Sequence, residues 1–439
     1  MQLERLKQGL THVLGFGREG RALEDVVLRR LPDARVEVIC DRVPDIAPKN
    51  WPLKIGPPDE RLFASARVLR SPGVPVDHPV LVECRQRAIP VTGISSLWFA
   101  ERPQAQVIGV TGSKGKSTTA ALIAHLLQGV GQRAVLAGNI GVPLIRHIDT
   151  RADWFVVELS SYQLADLEGQ VSIGVLTRLF PEHVDWHGSL EAYYAAKLRL
   201  AALVDGRPIW INSRDRLLVA ALSSVPNVHA VNGETGIVAR ADGIWNGPQK
   251  LLDAGQSPLP GRHNLDNIAL ALSVVASICG NLDGLVQALG SFEGLPHRLQ
   301  SIPGPEDVAW INDSISTTPY ATRAALEACP QPPVLIAGGL ERKADWHVVI
   351  DFCRRLPLSG LVVLPDNGKR IAEALLADKC VASDCVVHVE SIEQAVDAAA
   401  GLVSVKGIVL LSPGAPSFPH YRDFEERGRR FAAAVLARR

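Results

Sequence analysis

The chain is poor in aromatic residues: Phe, Trp and Tyr make up 5% of its 439 positions, although 47% are hydrophobic. A core so short of rings and rich in Ala, Leu and Val suits an α/β protein better than a β-sandwich. Net charge is also missing, with 46 basic residues against 46 acidic ones and no basic run. This argues against nucleic acid or an anionic membrane as a partner. No apolar stretch nears the roughly 20 residues that span a bilayer. The opening MQLERLKQGL lacks the apolar core of a signal peptide. The seven cysteines are scattered, without CxxC or paired Cys/His spacing. That argues against zinc and reads as reduced thiols in a cytoplasmic protein.

What the chain does have is repeated α/β alternation, over a length that allows two or three domains, each with its own core. THVLGFG, GREGRALEDVVLRRL and RVEVICD form a strand–turn–helix–strand unit. The polar ERPQAQ (101–106) reads as a linker. A second series opens at Val107 with VIGV, a glycine loop and the helix STTAALIAHLLQGV, whose spacing predicts one buried face. Buried strands follow in RAVLAG, DWFVVELSS, VSIGVLTRL, PIWIN and VHAVNG, with helices in GSLEAYYAAKLRLAALV and GRHNLDNIALALSVVASICG. After GLPHRL the pattern restarts: DVAWINDS, a helix from Thr317 with Pro319 in its first turn, then PPVLIAGG, LSGLVVLP and KGIVLLSPG. The expected architecture is three consecutive α/β domains: a Rossmann-like 1–99, a P-loop ATPase-like 100–294, and a Rossmann-like 295–439.

Two glycine loops carry the chemistry. GFGREG, residues 15–20, lies between strand and helix, and Asp41, with Arg42 as its neighbour, ends the next strand. It suits a diphosphate at a helix N-terminus with a ribose near Asp41 or Arg42, or else a plain packing turn. Ser71-Pro72-Gly73 is a second tight turn at the same sheet edge, and together the two could clamp a sugar nucleotide.

The second loop, TGSKGKST, departs from G-x-x-x-x-G-K-[ST], since Val110 stands where the first glycine belongs. The physics survives: backbone N–H groups of Gly112, Ser113, Lys114 and Gly115 face a phosphate, Lys116 reaches its outer oxygens, and Ser117 or Thr118 can hold Mg²⁺. Glu158, before Ser160 and Ser161, and His183 and Asp185 in PEHVDWHG end other strands, where a hard cation finds oxygen ligands. Taken singly, Glu158 could cap a helix and His183 could brace a turn.

In order along the chain, GVTGSKGKSTT, AGNIGVPL, VVELSSYQL, EHVDWHG, YYAAKLRL, GRHNLDN, GLPHR and INDS resemble the Mur ligases, most closely the glutamate-adding type. The resemblance implies an ADP-forming acid–amino-acid ligase of peptidoglycan synthesis. Its γ-phosphate activates the carboxylate of UDP-N-acetylmuramoyl-L-alanine, and the amine of glutamate then displaces phosphate. It implies ATP and two Mg²⁺ ions, held by Lys116, Ser117, Glu158, His183 and a carbamylated Lys197. Asn139, Ser160 and Gln163 would hold the muramoyl group. Asn264, Asn267, Arg298 and Asp313 would surround the nucleotide, with His297 at a hinge. Gly15, Phe16, Gly17, Arg18, Asp41, Arg42 and Ser71–Gly73 would hold the UDP end. Thr317, Arg342, Ser417 and Phe424 would line the amino-acid pocket. A monomer is expected.

The departures gather in that pocket. Ile315 stands where the family's NDSK has lysine, Arg342 and Lys343 stand in GGLERKADW, and Pro416 and Pro419 enter SPGAPSFPHYRDF. Arg178 and Glu182 replace an asparagine and an aspartate elsewhere. Moved charges are what the opposite enantiomer requires, and NDSISTTP with GGLERKADW resembles the branch that adds L-glutamate, which implies a glutamyl epimerase downstream. The alternatives are the D-glutamate ligase, a folylpolyglutamate-type ligase, a non-catalytic nucleotide-binding protein and, on GFGREG alone, an NAD-dependent dehydrogenase.

Overall fold

Two compact units, Met1–Phe292 and Glu293–Arg439, make up the computed structural model. It describes every residue except Asp45, Pro260, Glu306, Arg342, Lys343 and Arg439. The expected pocket residues Arg342 and Lys343 therefore lie outside the described residues.

The first unit holds three sheets. One is fully parallel, in the spatial order Leu53–Ile55, Val36–Cys40, Thr11–Leu14, Arg67–Arg70, Val91–Gly93. The second is also parallel, in the order Val228–Val231, Ile209–Asn212, Ile173–Leu176, Val107–Thr111, Trp154–Glu158, Ala134–Gly138. Its inner strands Val107–Thr111, Trp154–Glu158 and Ile173–Leu176 are apolar runs buried on both faces, as parallel sheets demand, while the edge strand Val228–Val231 leaves His229 and Ala230 exposed.

The third sheet, Ile237–Arg240, Gly243–Asn246 and Gln249–Asp253, is antiparallel. It is absent from the sequence reading, which passed from VHAVNG directly to the next helix. Its turn signals are ADG and NG, and Gly243 sits at φ +148° with no room for a side chain against the Leu252 carbonyl.

Two expectations are corrected here. The helix Lys116–Gly129 is buried without a break from Thr118 to Ala124 rather than along one face, because it lies between its sheet and the helix Arg262–Cys279. The first two α/β regions also share one core, although Leu14, Ile39, Val68 and Leu81 form a further cluster within the first alone. Leu23, Trp98, Ile145, Phe155 and Leu164 belong to one apolar cluster, with the Trp98 and Phe155 rings edge to face at 4.9 Å.

The second unit is a six-stranded sheet in the order Gln300–Ile302, Ala309–Asn312, Ile408–Leu411, Val334–Gly339, Gly360–Asp366, Val386–His388, parallel except for its first pair. Apolar clusters cover both faces. The helix expected from Thr317 begins at Pro319, with Thr318 as its cap. Proline suits that first helical position, where its missing N–H costs nothing. No helix among the described residues is long and apolar enough to cross a membrane.

Candidate active site

At the first glycine loop the chain leaves Thr11–Leu14 through Gly15, at φ +79°, and enters the helix Arg18–Arg30 capped by Gly17. Ser71 Oγ donates to the Gly15 carbonyl at 2.7 Å, which ties this turn to Ser71-Pro72-Gly73. Arg18 donates to the Gly141 carbonyl at 2.6 Å. Asp41 and Arg42 are exposed just beyond their strand. The Phe16 ring is taken up in the core, edge-on to Trp51 at 6.3 Å.

Beneath this edge lies a residue the sequence reading did not single out. The buried Arg70 donates to both Asp166 oxygens, at 2.7 and 2.5 Å, and to the Val74 and Tyr162 carbonyls at 2.6 and 2.8 Å. It fastens the Ser71–Val74 turn to the segment that follows Glu158. Trp186 Nε1 donates to the Gly73 carbonyl at 3.0 Å, and its ring stacks on Tyr162 at 4.4 Å.

Glu19, inside GFGREG, is a second residue that the sequence pattern does not single out. Its Oε1 accepts from Gln163 Nε2 at 2.5 Å and from Ser95 Oγ at 3.1 Å. Burial raises its carboxyl above the ordinary value, against the lowering by those two bonds. Gln163 Oε1 in turn accepts from the backbone N–H and the hydroxyl of Ser160, both at 2.9 Å. Two residues expected on the muramoyl group are thus held by each other and by Glu19.

The second loop leaves Val107–Thr111 and turns into the helix Lys116–Gly129 at Gly115, φ +87°. A Cβ on Gly112, at φ +146°, would stand 2.0 Å from Thr177 Oγ1; one on Gly115 would stand 2.7 Å from Asn267 Oδ1. Both glycines are required by the neighbours that press on the loop. Ser113 Oγ meets Tyr193 OH at 2.7 Å and donates to the Phe180 carbonyl at 2.9 Å. Thr177 Oγ1 donates to the Lys114 carbonyl at 2.6 Å, and Lys116 Nζ to the Ser113 carbonyl at 2.8 Å. Asn267 donates to Asn264 at 3.1 Å, beside Gly115. Of the two replacements, Arg178 pairs with buried Asp266 at 2.9 Å and Glu182 with Lys114 at 2.8 Å.

Lys197 is 1% exposed, in the helix Leu190–Val204. Its Nζ donates to the Gly112 carbonyl at 2.6 Å and lies 4.8 Å from the centre of the Tyr193 ring. Burial pulls its amine down to about 6, and Lys116 pushes the same way while Glu182 and Glu158 oppose. Glu158 ends Trp154–Glu158 and is buried. Its Oε1 accepts from Asn139 at 3.0 Å, whereas its Oε2 is buried with no hydrogen-bond partner. His183, at φ +54°, meets Tyr162 OH through Nδ1 at 3.0 Å, and burial lowers its imidazole.

No group of three or more His, Cys, Asp or Glu forms a ready metal site among the described residues. The set expected for Mg²⁺ takes only Glu158 and His183 from those types, and the orphaned Glu158 oxygen beside a neutral Lys197 amine suits a hard cation.

In the second unit, Asp313 is buried. It accepts from Ser316 and Ser412 hydroxyls at 2.5 and 2.9 Å and from the Leu299 N–H at 3.2 Å. Burial lifts its carboxyl to about 6. His297 contacts Asn312 Nδ2 at 3.1 Å and stands edge-on to Phe424 at 6.3 Å. Ser417 is buried, Ile315 half-buried and Thr317 exposed.

Residues 110–275 match the family model for the Mur ligase middle domain. A UDP-N-acetylmuramoyl-L-alanine–L-glutamate ligase of Micromonospora sp. is 40% identical over 452 residues, with 99% of this chain and 98% of the relative covered. This chain belongs to the Mur ligase family. A Xanthomonas euvesicatoria ligase of the same name is 37% identical, with coverage of 98% and 96%. In fold, this Mur ligase resembles the UDP-N-acetylmuramate–alanine ligase of Thermotoga maritima, with a TM-score of 0.60, 18% identity, and 98% and 100% of the chains covered. The likeness extends over all three α/β domains of the Mur ligase fold. Tyr193 is not among the residues singled out from the sequence of this Mur ligase; its place one helical turn before Lys197, on the same helix face, is the signal that could have found it.

Proposed function

We propose that the chain is an ATP-dependent ligase that adds L-glutamate to UDP-N-acetylmuramoyl-L-alanine during the synthesis of peptidoglycan precursors in the cytoplasm. Its near full-length relationship to ligases of that name supports the substrates. The surroundings of Lys197 support the chemistry.

The reaction sets two anions against each other. The substrate carboxylate attacks the γ-phosphorus of ATP, ADP leaves, and an acyl phosphate forms. The glutamate amine then adds to the acyl carbon, phosphate departs and an amide remains. The Gly112–Gly115 backbone and Lys116 would cradle the phosphates at the helix N-terminus. Ser117, Glu158, His183 and a carbamylated Lys197 would hold two Mg²⁺ ions, which supply positive charge against the phosphoryl oxygens. An amine that stays neutral above pH 6 can add to CO₂, turning the lysine into a carboxylate-like ligand. Arg70 and Glu19 act behind the contacts, by fixing the UDP-end turn and the Ser160–Gln163 pair.

The sheet of residues 11–93, with its tied pair of turns, favours a UDP-linked substrate over a folylpolyglutamate-type one. The test is phosphate release with ATP, Mg²⁺ and UDP-N-acetylmuramoyl-L-alanine, adding L- or D-glutamate in parallel. Turnover with L-glutamate is expected; turnover with D-glutamate alone overturns the substrate assignment. An L-glutamyl product would then need an epimerase acting after ligation.

A further inference from the structure

Arg427, in the helix Phe424–Leu436, has no exposed surface. Its guanidinium donates from Nε to Ser314 Oγ at 3.0 Å, from Nη2 to the Ser314 carbonyl at 2.9 Å, and from Nη1 to the Ala415 carbonyl at 3.1 Å. All three acceptors are neutral, and among the described residues no carboxylate pairs with it. Burial pulls the guanidinium down to about 10. A buried cation without a counter-charge is among the costliest features a fold can carry.

Its place suggests what repays that cost. Ser314 follows the strand Ala309–Asn312, and Ala415 follows Ile408–Leu411. A Cβ on Gly339, the last residue of Val334–Gly339, would stand 3.4 Å from Nη1. These three strands are neighbours in the sheet, so Arg427 lies under their carboxyl-terminal edge, where open parallel sheets bind ligands. The loops it holds are linked further. Ser314 Oγ donates to the Phe424 carbonyl at 2.8 Å, and the Leu340 N–H to the Pro416 carbonyl at 3.1 Å.

We propose that Arg427 is a positioning residue for the amino-acid substrate: its fork fixes the Ser314 and Ala415 loops, and its unneutralised charge prepares that edge for a dicarboxylate. The inference rests on the ligase reading above, which supplies glutamate as the anion. Ile315 and Ser417 lie one and two residues from the carbonyls that Arg427 holds, so a shift of the fork moves the pocket walls directly.

The experiment compares wild type with Arg427→Lys, which keeps the charge without the fork, and Arg427→Met, which loses both. The KM for L-glutamate is expected to rise about three- to tenfold in the lysine variant and more in the methionine variant. The KM for ATP and for the UDP-linked substrate should stay within about twofold. An unchanged KM for L-glutamate in Arg427→Lys, or a loss shared by all three substrates, overturns the proposal and leaves a structural clamp. If Arg427→Met fails to fold, the lysine variant decides alone.

A second readout separates this inference from the ligase reading. With ADP and the UDP-linked substrate present, L-glutamate but not L-glutamine should raise the melting temperature of wild type, and raise it less in Arg427→Lys. A wild type that releases no phosphate yet shows this pattern sinks the ligase reading and keeps Arg427. Equal shifts in both proteins, or none in either, sink the role of Arg427.

Discussion

Lys197 Nζ donates to the Gly112 carbonyl at 2.6 Å, so the interior of one helix is tied to the loop that opens another. That bond places an amine with a strongly lowered pKa directly behind the glycine turn that opens the helix Lys116–Gly129. Replacing Lys197 with Ala should lower kcat about 10- to 100-fold, the range expected when a support of a metal site is lost. Formate or acetate, which can stand in for a carbamate, should restore part of the rate. Full activity of Lys197→Ala without an added carboxylate would remove the carbamate from the mechanism.

The same lysine makes stability depend on pH. Its folded pKa of about 6 lies below the unfolded value of 10.5. Between those values the unfolded chain binds one proton more than the folded one, so stability rises with pH from 6 upward. The limiting slope is about 1.4 kcal/mol per pH unit. Below pH 6 both states are protonated and the contribution is absent. Denaturant melts in CO₂-free buffer from pH 6 to 9 should show this slope in wild type and lose it in Lys197→Met.

Gly112→Ala should destabilise the chain and stop turnover. The new methyl would meet Thr177 Oγ1 at 2.0 Å and the Arg178 backbone at 3.1 Å, at a φ of +146° that side chains rarely adopt. Backbone strain of this kind costs about 1–3 kcal/mol before the clash is counted. The double change Gly112→Ala with Thr177→Ala removes only one of the collisions. It should recover part of the melting temperature and little activity.

Removing the buried Arg70 leaves the half-buried Asp166 carboxylate without its cation and the Val74 and Tyr162 carbonyls without their donor. Arg70→Met should cost about 3 kcal/mol or less in a urea melt, since water can reach the Asp166 carboxylate. Because the same guanidinium holds the Val74 carbonyl, the KM for the UDP-linked substrate should also rise, with the KM for glutamate unmoved. A rise in both would mean that the whole unit had loosened.

Glu19→Gln tests the buried carboxyl. An acid whose folded pKa is raised binds a proton in the folded state that the unfolded state has already lost, so its stabilising contribution falls as pH climbs above 4.5. The amide keeps an acceptor for Gln163 and Ser95 without the charge. The variant should equal or exceed wild type in melting temperature at pH 7.5 and lose that advantage near pH 4. A lower melting temperature at pH 7.5 would show that the ionised form is the one the site wants.

The parallel strands were legible because each is a short apolar run ending in a glycine or polar tip, and the glycine turn at 112–115 because Gly-Lys-Ser-Thr opens a helix. The antiparallel sheet at 237–253 was missed because its strands, such as IVAR and QKLL, are short and half polar, so their alternation is weak. Arg427 sits in EERGRR, where its neighbour Arg429 is exposed. No local pattern separates the buried arginine from the solvated one, since tertiary packing decides it. Glu19 was hidden by the glycines around it, and its partners Ser95 and Gln163 are far along the chain. The lost single face of Lys116–Gly129 has the same cause: a second helix, distant in sequence, covers the side that periodicity leaves for water.

The core that Trp98 and Phe155 share has a practical meaning for anyone dissecting the gene. A cut in the polar turn at 102–106 looks harmless on paper, yet it would strip a tryptophan and a phenylalanine of their mutual cover and leave both fragments sticky. Recombinant pieces that stay in solution should be sought by dividing the chain between Phe292 and Glu293.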